Sequence, residues 1–175
     1  VVWSILNAED VRELMKLKPI DFPLIFLDKH YDEAGHDAVV YNSYQTGLDV
    51  GRHYIRQGWQ KFVFLVRSGK KDFSSMQERF NGLKRSLTEN NLPLENIEAV
   101  AYQDIADIDP AEFLKKCHGA ILVNAHATEA QRLFTYLKTH GYTLDPSNAM
   151  TFGPNMGGPL IPGMTEYDFD IEQDE

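Results

Sequence analysis

Short apolar runs alternate with amphipathic stretches along the 175 residues of this chain. The run Phe62–Val66 (FVFLV) is apolar throughout, as expected for a strand that other elements cover on both faces. In the stretch that follows it, apolar residues recur every three or four positions, which predicts one buried face of a helix. Those residues are Met76, Phe80, Leu83 and Leu87. This part of the pattern therefore predicts a buried strand followed by an amphipathic helix.

The same alternation extends over the rest of the chain. Strands are predicted at 1–6, 24–27, 38–41, 62–66, 97–102, 120–123 and 150–152, with a weaker strand signal in 165–175. Helical spacing lies between most of these runs, and this order is typical of an α/β fold with parallel strands. Open parallel sheets bind ligands beyond the carboxyl ends of their strands. The predicted ligand-binding loops follow Leu27, Val66, Val123 and Phe152.

Composition narrows the classes of protein that fit. Hydrophobic residues make up 43% and charged residues 25% of the sequence, which is ordinary for a globular domain. The formal net charge of -9 makes the chain itself a poor nucleic-acid binder, because contacts with phosphate need clustered lysine and arginine. No apolar run approaches the roughly 20 residues of a membrane helix, and no signal peptide is in view. The single cysteine, Cys117, excludes an internal disulfide and fits the reducing cytoplasm.

A series of short motifs follows the predicted elements in order. They are PLIFLD at 23–28, VVYN at 39–42, GWQKFVFL at 58–65, ERFNGL at 78–83, GAILV at 119–123 and MTFG at 150–153. This ordered set covers nearly the whole chain and resembles the sensory domains of lactose-repressor and galactose-repressor (LacI/GalR) type transcription regulators. In that family a helix-ending glycine precedes a basic residue and an aliphatic strand, and the next helix carries Arg-x-x-Gly followed by an aromatic residue. Leu83 stands here in place of that aromatic residue.

The resemblance implies a periplasmic-binding-protein-like α/β fold, in which crossing strands join two Rossmann-like subdomains with parallel sheets. Matched to the family, residues 1–38 resemble the end of the N-terminal subdomain, and residues 39–163 resemble the C-terminal subdomain. Residues 164–175 resemble the strand that crosses back to the N-terminal subdomain. The family's opening strands and its helix-turn-helix have no counterpart in this sequence, which indicates a partial chain.

The same resemblance implies a sensing function rather than catalysis. A small effector, a sugar or sugar derivative, would bind between the two subdomains, and closure around it would act on a DNA-binding region that is absent from this chain. Ligand binding of this kind shifts the population of closure states. Members of the family pair as homodimers, so a cytoplasmic homodimer that touches DNA only through another segment is expected. The resemblance implies no cofactor and no membrane partner.

Arg79 is the leading candidate for contacting the effector. It matches the family's ligand-contacting arginine at the start of Arg-x-x-Gly, and its guanidinium offers a fork of donors suited to vicinal sugar hydroxyls or a carboxylate. The alternative is an arginine on the solvated face of the helix. Asp28 follows a predicted strand, where a carboxylate accepts hydrogen bonds from sugar hydroxyls or serves as a turn or cap residue. Ser74 lies at the start of the Arg79 helix, where hydroxyl and N–H groups hold polar ligands or cap the helix. A sugar-stacking aromatic residue is also expected, although the sequence does not identify it.

Two departures from the family pattern supply the remaining candidates. Asn155 stands where the family usually carries a sugar-binding aspartate, and an amide, which both donates and accepts, suits a different ligand. It is equally a loop asparagine. The family's Asn-Asp pair after the central strand is replaced by Asn124-Ala125-His126, in which Asn124 or His126 is a substitute contact. These changes leave open a domain that has lost sugar binding and serves for dimerisation.

Other classes of protein have less support in the residues. The nucleotide-binding motifs G-x-G-x-x-G and G-x-x-x-x-G-K-[ST] and the catalytic motifs G-x-S-x-G and H-E-x-x-H do not occur. No histidine or cysteine pair has the spacing of a metal site. We therefore expect no enzyme activity, although a flavodoxin-like enzyme shares the alternation of strands and helices. The nearer alternative is a solute-binding protein for sugar transport or chemoreception, which has the same architecture.

Overall fold

The computed structural model describes residues 2–3, 8–17, 24–27, 37–68, 74–152 and 161–167. Contacts between residues divide the chain into two compact units, Val1–Asn42 and Ser43–Glu175. Each unit is built around its own parallel sheet.

The described residues of the first unit form a three-stranded parallel sheet and one helix. They are β1 (Val2–Trp3), α1 (Ala8–Leu17), β2 (Ile25–Leu27) and β3 (Asp37–Val39), and the strand order is β1-β2-β3. Acidic residues occupy the first turn of α1 and Lys16 lies in its last turn, which suits the direction of the helix dipole. Val11, Leu24 and Phe26 form the core of this small unit.

Besides three short 3-10 helices at Leu94–Asn96, Ile105–Asp107 and Pro146–Asn148, the described residues of the second unit form a five-stranded sheet and four α-helices. In chain order they are α2 (Ser43–Arg56), β4 (Phe62–Arg67), α3 (Ser74–Glu89), β5 (Ile97–Tyr102), α4 (Pro110–Cys117), β6 (Ile121–Asn124), α5 (Ala127–Thr139), β7 (Ala149–Phe152) and β8 (Thr165–Tyr167). All strand pairs are parallel, and the order is β5-β4-β6-β7-β8. The predicted α/β fold with parallel strands is therefore confirmed. Across the described ranges, no helix is long and apolar enough to cross a membrane.

Local sequence signals set several helix ends. Gly58 follows α2 with a φ of 95°, and Gly141 follows α5 with a φ of 79°, a left-handed conformation that glycine adopts without steric cost. At the start of α4, the Asp109 side chain accepts a hydrogen bond of 2.9 Å from the backbone N–H of Glu112. Pro110 occupies the first helical position, where its missing N–H costs nothing. Both α2 and α5 therefore end close to a glycine whose conformation stops the helix.

Both faces of the five-stranded sheet are covered by helices. Helices α2 and α3 pack on one face, whose strand residues are Phe62, Phe64, Ile97, Ile121, Val123, Met150 and Phe152. Helices α4 and α5 pack on the other face, whose strand residues are Val63, Leu65, Tyr102, Leu122 and Ala149. Alternate residues of one strand therefore enter opposite cores. This double coverage explains why the FVFLV run contains no polar position.

Strand β8 extends the sheet of the second unit by pairing with β7. Thr165 lies opposite Met150 and Tyr167 lies opposite Phe152 in a parallel register. The described part of segment 164–175 therefore pairs within this sheet. The division into subdomains at residues 38 and 163 stays a prediction.

We predict that Ile121→Ala destabilises the second unit by about 2–5 kcal/mol, because Ile121 is fully buried on the central strand and its truncation leaves a cavity. Leu94→Ala is the matched control. Leu94 is 53% exposed, so its truncation should change the free energy of unfolding by less than about 0.5 kcal/mol. Urea unfolding followed by far-UV circular dichroism measures both variants. Equal stabilities for the two variants would contradict the assignment of β6 to the core.

Candidate ligand-binding site

The carboxyl ends of the five parallel strands line one edge of the second unit's sheet, which we call the C-terminal edge. In spatial order the strands end at Tyr102, Arg67, Asn124, Phe152 and Tyr167. Each of these residues is polar or aromatic, whereas the strand interiors are mostly apolar. Open parallel sheets bind ligands at this edge. The C-terminal edge is therefore the candidate site.

Helix α3 brings Arg79 to the C-terminal edge. Arg79 is only 6% exposed, and its guanidinium carbon lies 4.8 Å from the centre of the Phe152 ring. Its Nη1 lies 4.0 Å from Sδ of Met76, one turn earlier in the helix. A cation over an aromatic face is attracted by the ring, and more strongly where water is excluded. The structure thus places Arg79 as a buried cation at the end of β7, while its contact with a ligand stays a prediction.

A second aromatic ring lies beside Phe152. The ring centres of Phe152 and Tyr167 are 6.3 Å apart, and the ring planes meet at 61°, an edge-to-face arrangement. Rigid aromatic rings next to a few polar groups are the usual lining of small-molecule sites. The sequence predicted a stacking aromatic residue without identifying it. Tyr167, which is half-buried, is a candidate that the sequence alone did not indicate, whereas Phe152 is 2% exposed and packs against Arg79.

Asn124 ends the central strand and has a structural contact of its own. It is fully buried, and its Nδ2 donates a hydrogen bond of 3.1 Å to the carbonyl of Met150 on β7. Leu122 enters the core under α4 and α5, so strand alternation places Asn124 on the same face. Arg79 belongs to α3, which packs on the opposite face. The structure therefore places Asn124 and Arg79 on different sides of the sheet.

His126 lies at the turn between β6 and α5. Its backbone is extended, with φ of -147° and ψ of 149°, and its carbonyl accepts a hydrogen bond of 3.1 Å from the N–H of Ala130. His126 is therefore the N-cap residue of α5. It is also exposed, so its imidazole is accessible at the C-terminal edge. Its role as a ligand contact stays a prediction.

For the other three predicted residues, the structure describes no side chain at the C-terminal edge. Ser74 is the first residue of α3, five positions before Arg79, and its side chain lies outside what the structure describes. Asp28 and Asn155 lie outside the described residues altogether. Their predicted contacts with the effector stay predictions.

A polar cluster at the ends of β4 and β5 was not predicted from the sequence. The hydroxyl of Tyr102 donates a hydrogen bond to the carboxylate of Glu129, which lies in the first turn of α5. Nη1 of Arg67 lies 3.7 Å from the same carboxylate, and its Nε donates a hydrogen bond of 3.3 Å to the carbonyl of Gln103. Burial raises the pKa of Tyr102, and the hydrogen bond to Glu129 raises it further. The cluster therefore joins β4, β5 and α5 at the C-terminal edge.

The described residues give little support for metal or nucleophile chemistry. Among them, no group of three or more His, Cys, Asp and Glu side chains is arranged to hold a metal ion. Cys117 is buried in the core under α4, and burial raises the pKa of its thiol to about 12. A thiol that stays protonated is a packing residue rather than a nucleophile.

No family model and no curated protein matches this sequence, but solved structures do. A PurR-family transcriptional regulator from Vibrio parahaemolyticus is 18% identical, with a TM-score of 0.61 over 96% of this chain and 64% of its own. A LacI-family regulator from Enterococcus faecium with bound ribose is 22% identical, with a TM-score of 0.63 over 86% of this chain and 55% of its own. A periplasmic binding protein/LacI transcriptional regulator from Alkaliphilus metalliredigens, complexed with D-xylulofuranose, is 18% identical, with a TM-score of 0.65 over 90% of this chain and 59% of its own.

These matches confirm the fold that the sequence motifs imply. The chain has the periplasmic-binding-protein-like α/β fold of LacI-type regulators. It spans between 55% and 64% of the length of the three structures. At identities of 18–22%, the likeness establishes the fold.

We predict that Tyr102→Phe lowers stability at neutral pH by about 1 kcal/mol, because it removes the hydrogen bond to Glu129. It should also reduce the loss of stability in alkali. A raised folded-state pKa contributes stability that is fully present below the unfolded value of 10.0 and is lost as the pH rises through the folded value. Urea unfolding at neutral pH and at several values above pH 10.0 measures both effects.

Tyr142→Phe is the control for this experiment, because Tyr142 is 37% exposed. Its stability should follow that of the unmutated chain at every pH. Parallel pH curves for the unmutated chain and Tyr102→Phe would show that the Tyr102–Glu129 contact does not form in solution.

Proposed function

We propose that this chain is the ligand-sensing part of a transcription regulator, and that it binds a small effector, a sugar or sugar derivative, at the C-terminal edge. The observation that carries the proposal is the placement of Arg79. Its guanidinium lies at the end of β7, against the Phe152 ring, at the edge where open parallel sheets bind ligands. The fold is shared with regulator structures that hold ribose and D-xylulofuranose, which supports a carbohydrate as the effector.

The chemistry of Arg79 suits a hydroxylated ligand. A guanidinium carries five N–H donors in one plane and no acceptor. The Arg79 guanidinium carbon lies 4.8 Å from the centre of the Phe152 ring, and in the proposal its N–H groups donate hydrogen bonds to neighbouring hydroxyls of a sugar. Tyr167, which is half-buried beside Phe152, would add apolar area for the C–H face of a sugar ring.

The regulatory step follows from differential binding. In the proposal, a second subdomain of the complete protein closes over the effector, and the closed state changes how an attached DNA-binding region is held in a cytoplasmic homodimer. A ligand shifts such an equilibrium only by its difference in affinity for the two states. The coupling is reciprocal, so operator DNA must change the affinity for the effector by the same factor as the effector changes the affinity for DNA. Neither step requires an enzyme reaction.

A solute-binding protein for sugar transport or chemoreception is the second candidate. It has support because one matched structure is described both as a periplasmic binding protein and as a LacI transcriptional regulator. The two functions differ in DNA linkage. In a regulator, the complete chain binds operator DNA, and the sugar raises or lowers its affinity for that DNA. In a solute-binding protein, DNA has no effect on the affinity for the sugar.

We predict that a thermal-shift screen of the complete protein against sugars, sugar phosphates and polyols identifies one class that raises the melting temperature. A ligand that binds only the folded state stabilises it by about 2.7 kcal/mol at a hundredfold excess over its Kd. D-ribose and D-xylulose belong in the screen because matched structures hold these or closely related sugars. A screen without any shift would contradict sugar sensing and favour the dimerisation function.

We predict that Arg79→Lys weakens binding of the identified sugar about tenfold or more, because lysine keeps the charge but not the planar fork of donors. Lysine also keeps a cation near the Phe152 ring, so the chain should stay folded, which far-UV circular dichroism checks. Arg85→Lys is the matched control on the same helix, because Arg85 is exposed and its Nε donates to Glu89 at 3.0 Å. Isothermal titration calorimetry on both variants decides the assignment. Equal affinities for the two variants would remove Arg79 from the site.

A further inference from the structure

We infer that Gly47 is a positioning residue for Arg79. By presenting no side chain, Gly47 lets α2 reach the backbone of α3 at Arg79 and fixes the point from which the guanidinium extends to Phe152. The inference rests on the proposed function, in which Arg79 contacts the effector. Gly47 itself acts from the neighbouring helix and has no side chain with which to touch a ligand.

The contact at Gly47 involves backbone atoms. A Cβ built on Gly47 would lie 2.0 Å from the carbonyl oxygen of Arg79 and 2.7 Å from its Cα. Real Cβ atoms do not approach other atoms so closely, and a backbone carbonyl in a helix cannot rotate away as a side chain can. Any side chain at position 47 therefore separates α2 from α3 at Arg79.

Helix α3 has a glycine of its own, Gly82, where it approaches the backbone of α2. A Cβ built on Gly82 would lie 2.1 Å from the carbonyl oxygen of Tyr44 and 2.6 Å from the backbone nitrogen of Leu48, both on α2. Gly82 and Arg79 are three residues apart and so share one face of α3. Two glycines, one on each helix, thus allow the backbones to touch at the turn that carries Arg79.

The position of the Arg79 backbone decides where its guanidinium lies. Arg79 is 6% exposed, so its side chain is packed along its length before it reaches Phe152. Phe152 is held by the pairing of β7 with its neighbours in the sheet. If α3 moved away from α2, the guanidinium would move relative to a ring that stays in place. Close packing leaves little room for a rotamer change to absorb the shift.

Gly51 provides a contrast on the same helix. A Cβ built on Gly51 would lie 1.9 Å from Oγ and 2.6 Å from Cβ of Ser86, so an alanine there also pushes the two helices apart. Ser86 lies seven residues beyond Arg79, which is about 10 Å along the axis of α3. An alanine at Gly51 therefore crowds the same helix pair at a distance from Arg79. Gly51→Ala is the matched control for Gly47→Ala.

Side-chain NMR tests the positioning without any ligand. The Nε–Hε resonance of Arg79, identified by its loss in Arg79→Lys, responds to the ring current of Phe152. We expect Gly47→Ala to shift this resonance and Gly51→Ala to leave it in place, with both variants folded by far-UV circular dichroism. An unchanged resonance in Gly47→Ala, or an equal shift in Gly51→Ala, overturns the inference.

Binding of D-ribose to the complete protein, measured by calorimetry, tests the consequence for the site. We expect Gly47→Ala to weaken binding about tenfold or more and Gly51→Ala to stay within about twofold. Added to Arg79→Lys, Gly47→Ala should cause no further loss, because both changes remove the same contact. Losses that multiply in the double variant would show that Gly47 does not act through Arg79. If D-ribose does not bind the unmutated complete protein, that sugar is excluded, whereas the resonance experiment still decides the role of Gly47.

Gly82→Ala keeps the inference testable if Gly47→Ala does not fold. It separates the helices at the same point, so it should shift the Arg79 resonance in the same way. Variants that unfold in buffer are measured in sucrose, which favours the compact state. A folded Gly82→Ala chain with the unmutated Arg79 resonance would contradict the inference.

Discussion

The double coverage of the five-stranded sheet is the constraint on which the rest of the second unit depends. Residues 121–123 of the central strand are 0% exposed, so a polar side chain there would lose water on either face of the sheet. Polar side chains are therefore concentrated at strand ends. Because the strands are parallel, their carboxyl ends share one edge. The grouping of Arg67, Tyr102 and Asn124 at that edge is a consequence of the covered sheet.

The regular elements could be predicted because burial leaves a local signature in the sequence. The continuous apolar run Phe62–Val66 indicates a strand that is covered on both faces, and the helical spacing of Leu83 and Leu87 indicates a helix with one buried face. Each of these patterns lies within a few residues of sequence. Helix ends could also be predicted, because a residue such as Gly58 adopts a positive φ that few other residues tolerate. The ordered motifs added a resemblance that implied a periplasmic-binding-protein-like fold, and the structure has that fold.

The candidate site was only partly predictable, because its contacts join residues distant in sequence. Arg79 came from a motif, yet its partner Phe152 lies 73 positions later, and no local pattern encodes that pairing. The bond between Tyr102 and Glu129 spans 27 positions and depends on how α5 packs against β5. Asn124 shows the same limit, since the sequence places it at a strand end but does not say which face it meets.

The glycines of α2 and α3 allow a close approach of the two helices at some cost in helix stability. A glycine inside a helix costs roughly 0.5–1 kcal/mol relative to alanine, and three occur in these two helices at Gly47, Gly51 and Gly82. Closer packing of α2 against α3 offsets that cost, because Leu83 and Leu87 of α3 are fully buried. Closer packing alone does not explain why two of the three glycines meet at the turn that carries Arg79. Accurate placement of the guanidinium explains that location, because the backbone contact holds α3 at a fixed distance from the ring of Phe152.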